Sequence, residues 1–178
     1  MNSQIIIYGS EYGSTKRYAE RLSEITGIEA VSYNEAKDIG DYKRVVYLGG
    51  LFAGGVMGLK KTVSKMTSQQ ELILATVGMT DPNETTYFEG IRKVLKAQLP
   101  ASFYDENKIF HLRGAIDYSQ LGFKHRFMMK MFHSMLLKKP ESELTADAKT
   151  VLETYGKQVD YVDYDGLKPI IEIIEKTK

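Results

Sequence analysis

The sequence contains no cysteine. That excludes disulfides, thiolate nucleophiles and cysteine-ligated iron–sulfur clusters within its 178 residues. It also lacks any stretch approaching the roughly 18 consecutive apolar residues needed to span a bilayer. Met1-Asn2-Ser3-Gln4 leads directly into an apolar segment, with no basic region before it. No signal peptide is therefore expected, and the cytoplasm is the expected location. Histidine is scarce: His111, His125 and His133 stand 14 and 8 residues apart, which is no metal-ligand spacing, and no metal is expected. No Ser/His/Asp nucleophile pattern stands out, so any catalysis is expected to depend on a cofactor.

What is present is ordinary for a globular chain: 43% hydrophobic and 26% charged residues, enough to bury a core without covalent staples. The net charge of +1 is unevenly spread. Arg113 to Lys139 carries +5, leaving −4 for the rest, which gives the surface a direction. One short basic segment without a recognition motif does not point to nucleic acid, and none is expected as a partner.

The apolar segments read as strands alternating with helices. Gln4 to Tyr8 is an apolar run rich in β-branched residues, like a strand buried on both faces of a parallel sheet. Ile28 to Tyr33, Arg44 to Leu48, Leu72 to Val77 and Ile109 to Leu112 are the other candidate strands. Helices are expected after the first loop, where Tyr18, Leu22 and Ile25 recur at helical spacing before a stop at Gly27, then over Met57 to Met66 and from Asn83 or Glu84 to Leu99, ending before Pro100. Beyond Arg113 the pattern turns helical, with Leu121 to Leu137, Ser142 to Tyr155 and Asp165 to Glu175. The order implies an α/β fold, a doubly wound five-stranded parallel sheet with helices on both faces and right-handed crossovers.

The informative loop is Gly9-Ser10-Glu11-Tyr12-Gly13-Ser14-Thr15, between the first strand and the first helix. That position presents unpaired N–H groups and the positive end of a helix dipole. Ser10, Ser14 and Thr15 add hydroxyls, and Gly9 and Gly13 permit close approach, a combination suited to a phosphate monoester. It is not a P-loop, because Lys16 does not directly follow Gly13 and no Ser or Thr comes directly after it, and Gly9-Ser10-Glu11 breaks the dinucleotide G-x-G-x-x-G fingerprint. Alone, the loop also reads as a simple turn with an N-cap. Two more loops, Gly49 to Gly55 after the third strand and Gly78 to Pro82 after the fourth, lie on the same sheet edge, where open α/β sheets bind ligands. Three such loops together favour a ligand site.

These residues resemble the flavodoxin family. Ile6 to Thr15 looks like its FMN-phosphate loop, so the resemblance implies FMN as cofactor. It places Ser10, Glu11, Tyr12, Gly13, Ser14 and Thr15 at the phosphate, Leu51, Phe52, Ala53 and Gly54 along the flavin ring, and Gly78, Met79, Thr80 and Asp81 at its other edge. Gly114 to Tyr118, Phe127 to Met131 and Tyr161 to Asp165 resemble the menaquinone-dependent protoporphyrinogen dehydrogenase branch. That resemblance implies an FMN-dependent oxidoreductase that takes a porphyrinogen and a quinone. The alternatives are an electron-transfer protein that docks to partner enzymes and a flavin-free interaction domain.

The sequence departs from these patterns in three ways. It has no tryptophan, leaving Phe52 and Tyr87 as ring-stacking candidates; it is near-neutral, where electron-carrier flavodoxins are acidic; and Ser142 to Tyr155 is an additional helix relative to the compact dehydrogenase pattern. Residues 1–178 are expected to form one domain, with 114–139 as the branch's inserted segment and 142–178 as C-terminal helices. Leu121 to Leu137 holds Met128, Met129, Met131 and Met135, and the periodicity of this Met-rich helix favours a face packed on the sheet. Its other reading is a surface for an apolar anionic ligand, a quinone or the inner face of a membrane, with Lys124, Arg126 and Lys130 as the basic contacts.

Overall fold

The computed structural model describes residues 3–52 and 54–176, with Thr85 and Thr86 described by backbone alone. Five parallel strands form its centre: β1 (Gln4–Gly9), β2 (Ala30–Ser32), β3 (Arg44–Phe52), β5 (Glu71–Gly78) and β6 (Ile109–Arg113), in the order β2-β1-β3-β5-β6. A two-residue strand, β4 (Gly55–Val56), folds back antiparallel on the end of β3. The doubly wound parallel sheet follows from continuous apolar runs. Side chains alternate across a strand, so a strand covered on both sides must be apolar at every position.

The two faces are filled in that way. Ile5, Ile7, Val45, Tyr47, Leu72 and Leu74 point to one face, where α2 (Leu59–Val63) and α3 (Thr85–Gln98) cover them with Leu59, Val63, Ile91 and Leu95. Ile6, Val46, Leu48, Ile73 and Ala75 point to the other, against Tyr18 and Leu22 of α1 (Ser14–Thr26) and Ile170 and Ile174 of α6 (Lys168–Lys176). Helix α1 stops at Gly27, whose φ of 69° few other residues adopt without strain and whose N–H donates to Ser23 O.

The remaining elements build one wall at the C-terminal end of the sheet. They are β7 (Ala115–Asp117), α4 (Phe123–Leu136), α5 (Ala146–Thr154) and β8 (Gln158–Asp160). β7 and β8 pair antiparallel as a separate two-stranded sheet. Thr145 caps α5, its hydroxyl accepting from Ala148 N. Tyr18 joins this region to the core: its buried hydroxyl donates to Arg113 O and accepts from Asp163 N, both at 2.8 Å.

Helix α4 does not pack as its periodicity suggests. Leu136 is the one residue of the helix that is buried, whereas Phe123, Phe127, Met131 and Met135 face solvent. The helix leans on α5 and the site wall rather than on the sheet, so its apolar pattern does not mark a core face.

Candidate functional site

The three loops singled out in the sequence meet at the C-terminal ends of β1, β3 and β5, around a cavity of about 500 Å³. Its size lies within the range of small-molecule sites. Ser10, Glu11, Tyr12, Ser14 and Thr15 line it from the first loop, Leu51, Phe52 and Gly54 from the second, and Gly78 and Met79 from the third. Gly13 stands behind the first loop as the N-cap of α1. Ala53 lies outside the described residues.

The first loop is built to leave helix donors free. Gly13 takes φ 93°, and no side chain caps α1. Ser10 Oγ accepts from Gly13 N at 3.1 Å, which closes the loop on itself. The Thr15 and Ser14 hydroxyls lie beside the bare backbones of Gly50 and Gly114 respectively. A methyl group on Gly50 would come within 3.2 Å of Thr15 Oγ1, and one on Gly114 within 3.0 Å of Ser14 Oγ. Uncapped amides, two hydroxyls and bare backbone opposite are a donor set that fits a phosphate.

Gly9 has another purpose than the close anion approach expected of it. A methyl group there would lie 2.2 Å from Met57 O. Gly9 is paired with Gly49 in the sheet, and a methyl group on Gly49 would lie 2.2 Å from Val56 Cγ1. The two glycines let the Val56–Met57 chain cross the strand ends. That crossing is fixed by the Tyr47 hydroxyl donating to Met57 O and by Met57 N donating to Gly50 O at 2.9 Å.

The third loop divides. Gly78 and Met79 face the cavity and are held from the far side: Gly114 N donates to Gly78 O at 2.7 Å, and Arg113 Nη2 donates to Met79 O at 3.1 Å. The Arg113 guanidinium lies 3.7 Å from the Tyr161 ring centre. Thr80 turns away, its buried hydroxyl donating to Asp147 Oδ1 of α5 at 2.5 Å. It lines a neighbouring cavity of about 390 Å³ that shares the Leu51, Phe52 and Met79 walls. Asp81 lines neither cavity; its carboxylate accepts from Asn83 N at 2.8 Å in a local turn. Tyr87 is buried beneath Gly78 and also belongs to the neighbouring cavity, which leaves Phe52 as the stacking candidate in the main one.

The fourth wall draws on Gly114 to Tyr118 and the Met-rich helix, segments singled out in the sequence but not assigned to the flavin cavity. Gly114, Ile116 and Tyr118 contribute to it, with His125, Met128, Met129 and Phe132 of α4 and Val151 and Thr154 of α5. His125 reaches furthest across. Its Nδ1 is hydrogen-bonded to the Tyr12 hydroxyl and lies 3.8 Å from Glu11 Oε1, and its ring meets Phe52 edge-on at 4.9 Å. Partial burial and the nearby Glu11 carboxylate raise the Tyr12 phenol above its ordinary range. The spacing of the histidines carried no metal signal and gave no hint of this position.

The basic residues expected at a substrate surface lie outside the cavity. Lys124, Arg126 and Lys130 are exposed. Arg126 Nη2 donates to Ser119 O and Leu121 O at 3.1 and 3.2 Å, tying the start of α4 to the preceding turn. Among the described residues, no group of three or more His, Asp or Glu side chains is placed to hold a metal.

A doubly wound parallel sheet of this strand order, with an uncapped helix N-terminus and a largely apolar cavity at the strand ends, defines a flavodoxin-like α/β fold. The chain belongs to the flavodoxin-domain family, whose model matches residues 5–143. Among solved structures, the metal-soaked flavodiiron core of Flv1 from Synechocystis sp. PCC6803 is similar at 15% identity and a TM-score of 0.41, over 63% of this chain and 30% of that one. Rubredoxin oxygen:oxidoreductase from Desulfovibrio gigas is similar at 12% identity and 0.42, over 86% of this chain and 37% of that one. The Trp repressor binding protein from Bacillus subtilis is similar at 12% identity and 0.40, over 62% of this chain and 82% of that one. The chain thus spans little more than a third of the first two proteins at most. No curated protein matches it in sequence.

Proposed function

We propose that the protein binds FMN and acts as an oxidoreductase of the protoporphyrinogen dehydrogenase type, with a quinone as electron acceptor. The observation that carries this reading is the two-ended cavity. One end holds the α1 amides with Ser10, Ser14 and Thr15, suited to the phosphate of a mononucleotide. The other is walled by Phe52, Met79, Met128, Met129 and Phe132, suited to a flat apolar ring. When bound, FMN supplies the redox chemistry.

The chain's own residues bind and orient. Ser10, Ser14 and Thr15 would hold the phosphate, and Phe52 would offer its ring to the flavin. The Arg113 and Gly114 contacts fix Gly78 and Met79 on the cavity wall, where they would meet the flavin. The α4 and α5 wall excludes water from the apolar end. His125, bonded to Tyr12 and close to Glu11, closes the cavity beside the first loop. That wall favours a small-molecule oxidoreductase over a simple electron shuttle, whose flavin edge must meet a protein partner.

The test begins with the visible spectrum and an FMN titration of the flavin-free protein. Anaerobic addition of protoporphyrinogen IX should then bleach the flavin, and a menaquinone analogue should restore it. FMN binding without bleaching would leave an electron-transfer protein. A folded protein that binds no FMN would leave an interaction domain.

A further inference from the structure

We propose that α4 docks the protein on an anionic lipid surface. Phe123, Phe127, Met131 and Met135 recur every fourth residue and form one stripe along the helix. Their exposures are 89%, 59%, 60% and 49%, and Leu137, just past the helix end, is 65% exposed. A stripe of this spacing ordinarily faces a core, and contiguous exposed apolar surface marks an interaction site.

The charges around the stripe decide what covers it. Lys124 and Lys130 flank it, Lys138 and Lys139 follow, and no acidic residue occurs from Tyr118 to Pro140. Pairing this face with the same face of a second copy would set four cations against four, which opposes association. An anionic bilayer supplies apolar depth for the stripe and negative charge for the lysines, whose stems lie along the apolar surface while the ammonium groups reach the headgroups. Among the described residues, no helix is long and apolar enough to cross a membrane, so α4 lies in the interface.

The opposite side of the same helix walls the cavity with His125, Met128, Met129 and Phe132. Docking through the outer stripe therefore sets the cavity beside the lipid, so an apolar reactant can enter from the bilayer. That consequence rests on the oxidoreductase reading; the lipid contact does not.

The test is flotation of the full chain with vesicles of phosphatidylcholine alone and with vesicles in which part of it is replaced by phosphatidylglycerol. The protein is expected to float with the second and much less with the first, and to be released by salt. Lys124→Glu/Lys130→Glu should lower the partition roughly thirtyfold or more. Phe127→Ser/Met131→Ser should lower it at least about tenfold, with the thermal melt unchanged because both side chains face solvent. The proposal is overturned by equal partition onto both vesicles, by wild-type partition of either variant, or by a wild-type dimer that the Phe127→Ser/Met131→Ser variant converts to monomer. FMN titration of the same samples separates the two readings: flotation without FMN binding rejects the flavin site alone, and FMN binding without flotation rejects the lipid surface alone.

Discussion

Gly9→Ala tests whether the sheet ends and the anion loop form one rigid construction. The added Cβ would lie 2.2 Å from Met57 O, 2.9 Å from Met57 C and 3.0 Å from the Tyr47 hydroxyl. A tolerable carbon–oxygen contact is about 3.3 Å, so something must move by roughly 1 Å. The nearest atoms are backbone and cannot swing aside like the tip of a side chain. The Met57 carbonyl is fixed by Tyr47, and its amide by Gly50 O. Either that crossing is pushed off, weakening the Tyr47 bond, or the end of β1 shifts and carries Ser10 with it.

Overpacking of this kind costs about 1–3 kcal/mol, readable by urea denaturation. Displaced by about an ångström, the loop also loses hydrogen bonds worth about 1 kcal/mol each, so FMN affinity should fall at least about tenfold by fluorescence titration. Gly90→Ala is the control: nothing lies within 4 Å of its Cβ position in α3, and the helix should gain about 0.5–1 kcal/mol without a change in FMN affinity. Wild-type stability in Gly9→Ala would refute the described crossing. Lost stability with unchanged FMN affinity would show that the loop is not the phosphate site.

Ser14→Ala should weaken FMN binding by roughly tenfold while leaving riboflavin binding unchanged, because it removes a phosphate donor only; paired titrations check this. Tyr18→Phe leaves Arg113 O and Asp163 N without their shared partner and should cost about 1–3 kcal/mol in urea denaturation. Burial, with a smaller contribution from Arg92, lowers the His111 pKa from 6.5 to about 4. The unfolded chain therefore binds the proton first: stability is full above about pH 6.5 and falls by at most about 3 kcal/mol as the pH drops toward 4. Urea denaturation of His111→Gln should show a flatter pH dependence than wild type over that window, and equal slopes would contradict the assignment.

The central sheet was legible because burial on both faces demands unbroken apolar runs, which β1, β3 and β5 carry; the half-buried edge strands β2 and β6 were also expected, and all five are parallel strands of the sheet. The expected ends were less accurate where glycine served packing. Gly49 and Gly50 read as the loop after the third strand, yet they pair with Thr76 and Val77 and extend β3 to Phe52. They are glycines because Val56 and Thr15 come too close for a side chain. The expected helix from Met57 to Met66 contracts to Leu59–Val63, since Met57 and Gly58 belong to the crossing. The sheet of β7 and β8 gave no signal, being two three-residue strands some forty residues apart in sequence. The place of the fourth wall at the cavity was hidden for a similar reason. Helical periodicity tells which residues share a face of α4 but not which face meets the protein.

The site is therefore supported unevenly. Its anion end is tied into the sheet through Gly9, Gly50 and the Tyr47–Met57 bond, all close to backbone. Its apolar end is carried by Met128, Met129 and Phe132 on a helix with a single buried residue, attached through Arg126, Leu136 and the His125–Tyr12 bond. Methionine side chains re-pack at little cost, whereas the strand ends cannot move without breaking ladder bonds. Changes in the sheet-end glycines should thus act on cofactor affinity, and changes along α4 on what approaches the cofactor. The same division explains how α4 can present an apolar face to solvent: its outer stripe has no structural duty in the core, so its composition is free to serve whatever surface the cavity must face.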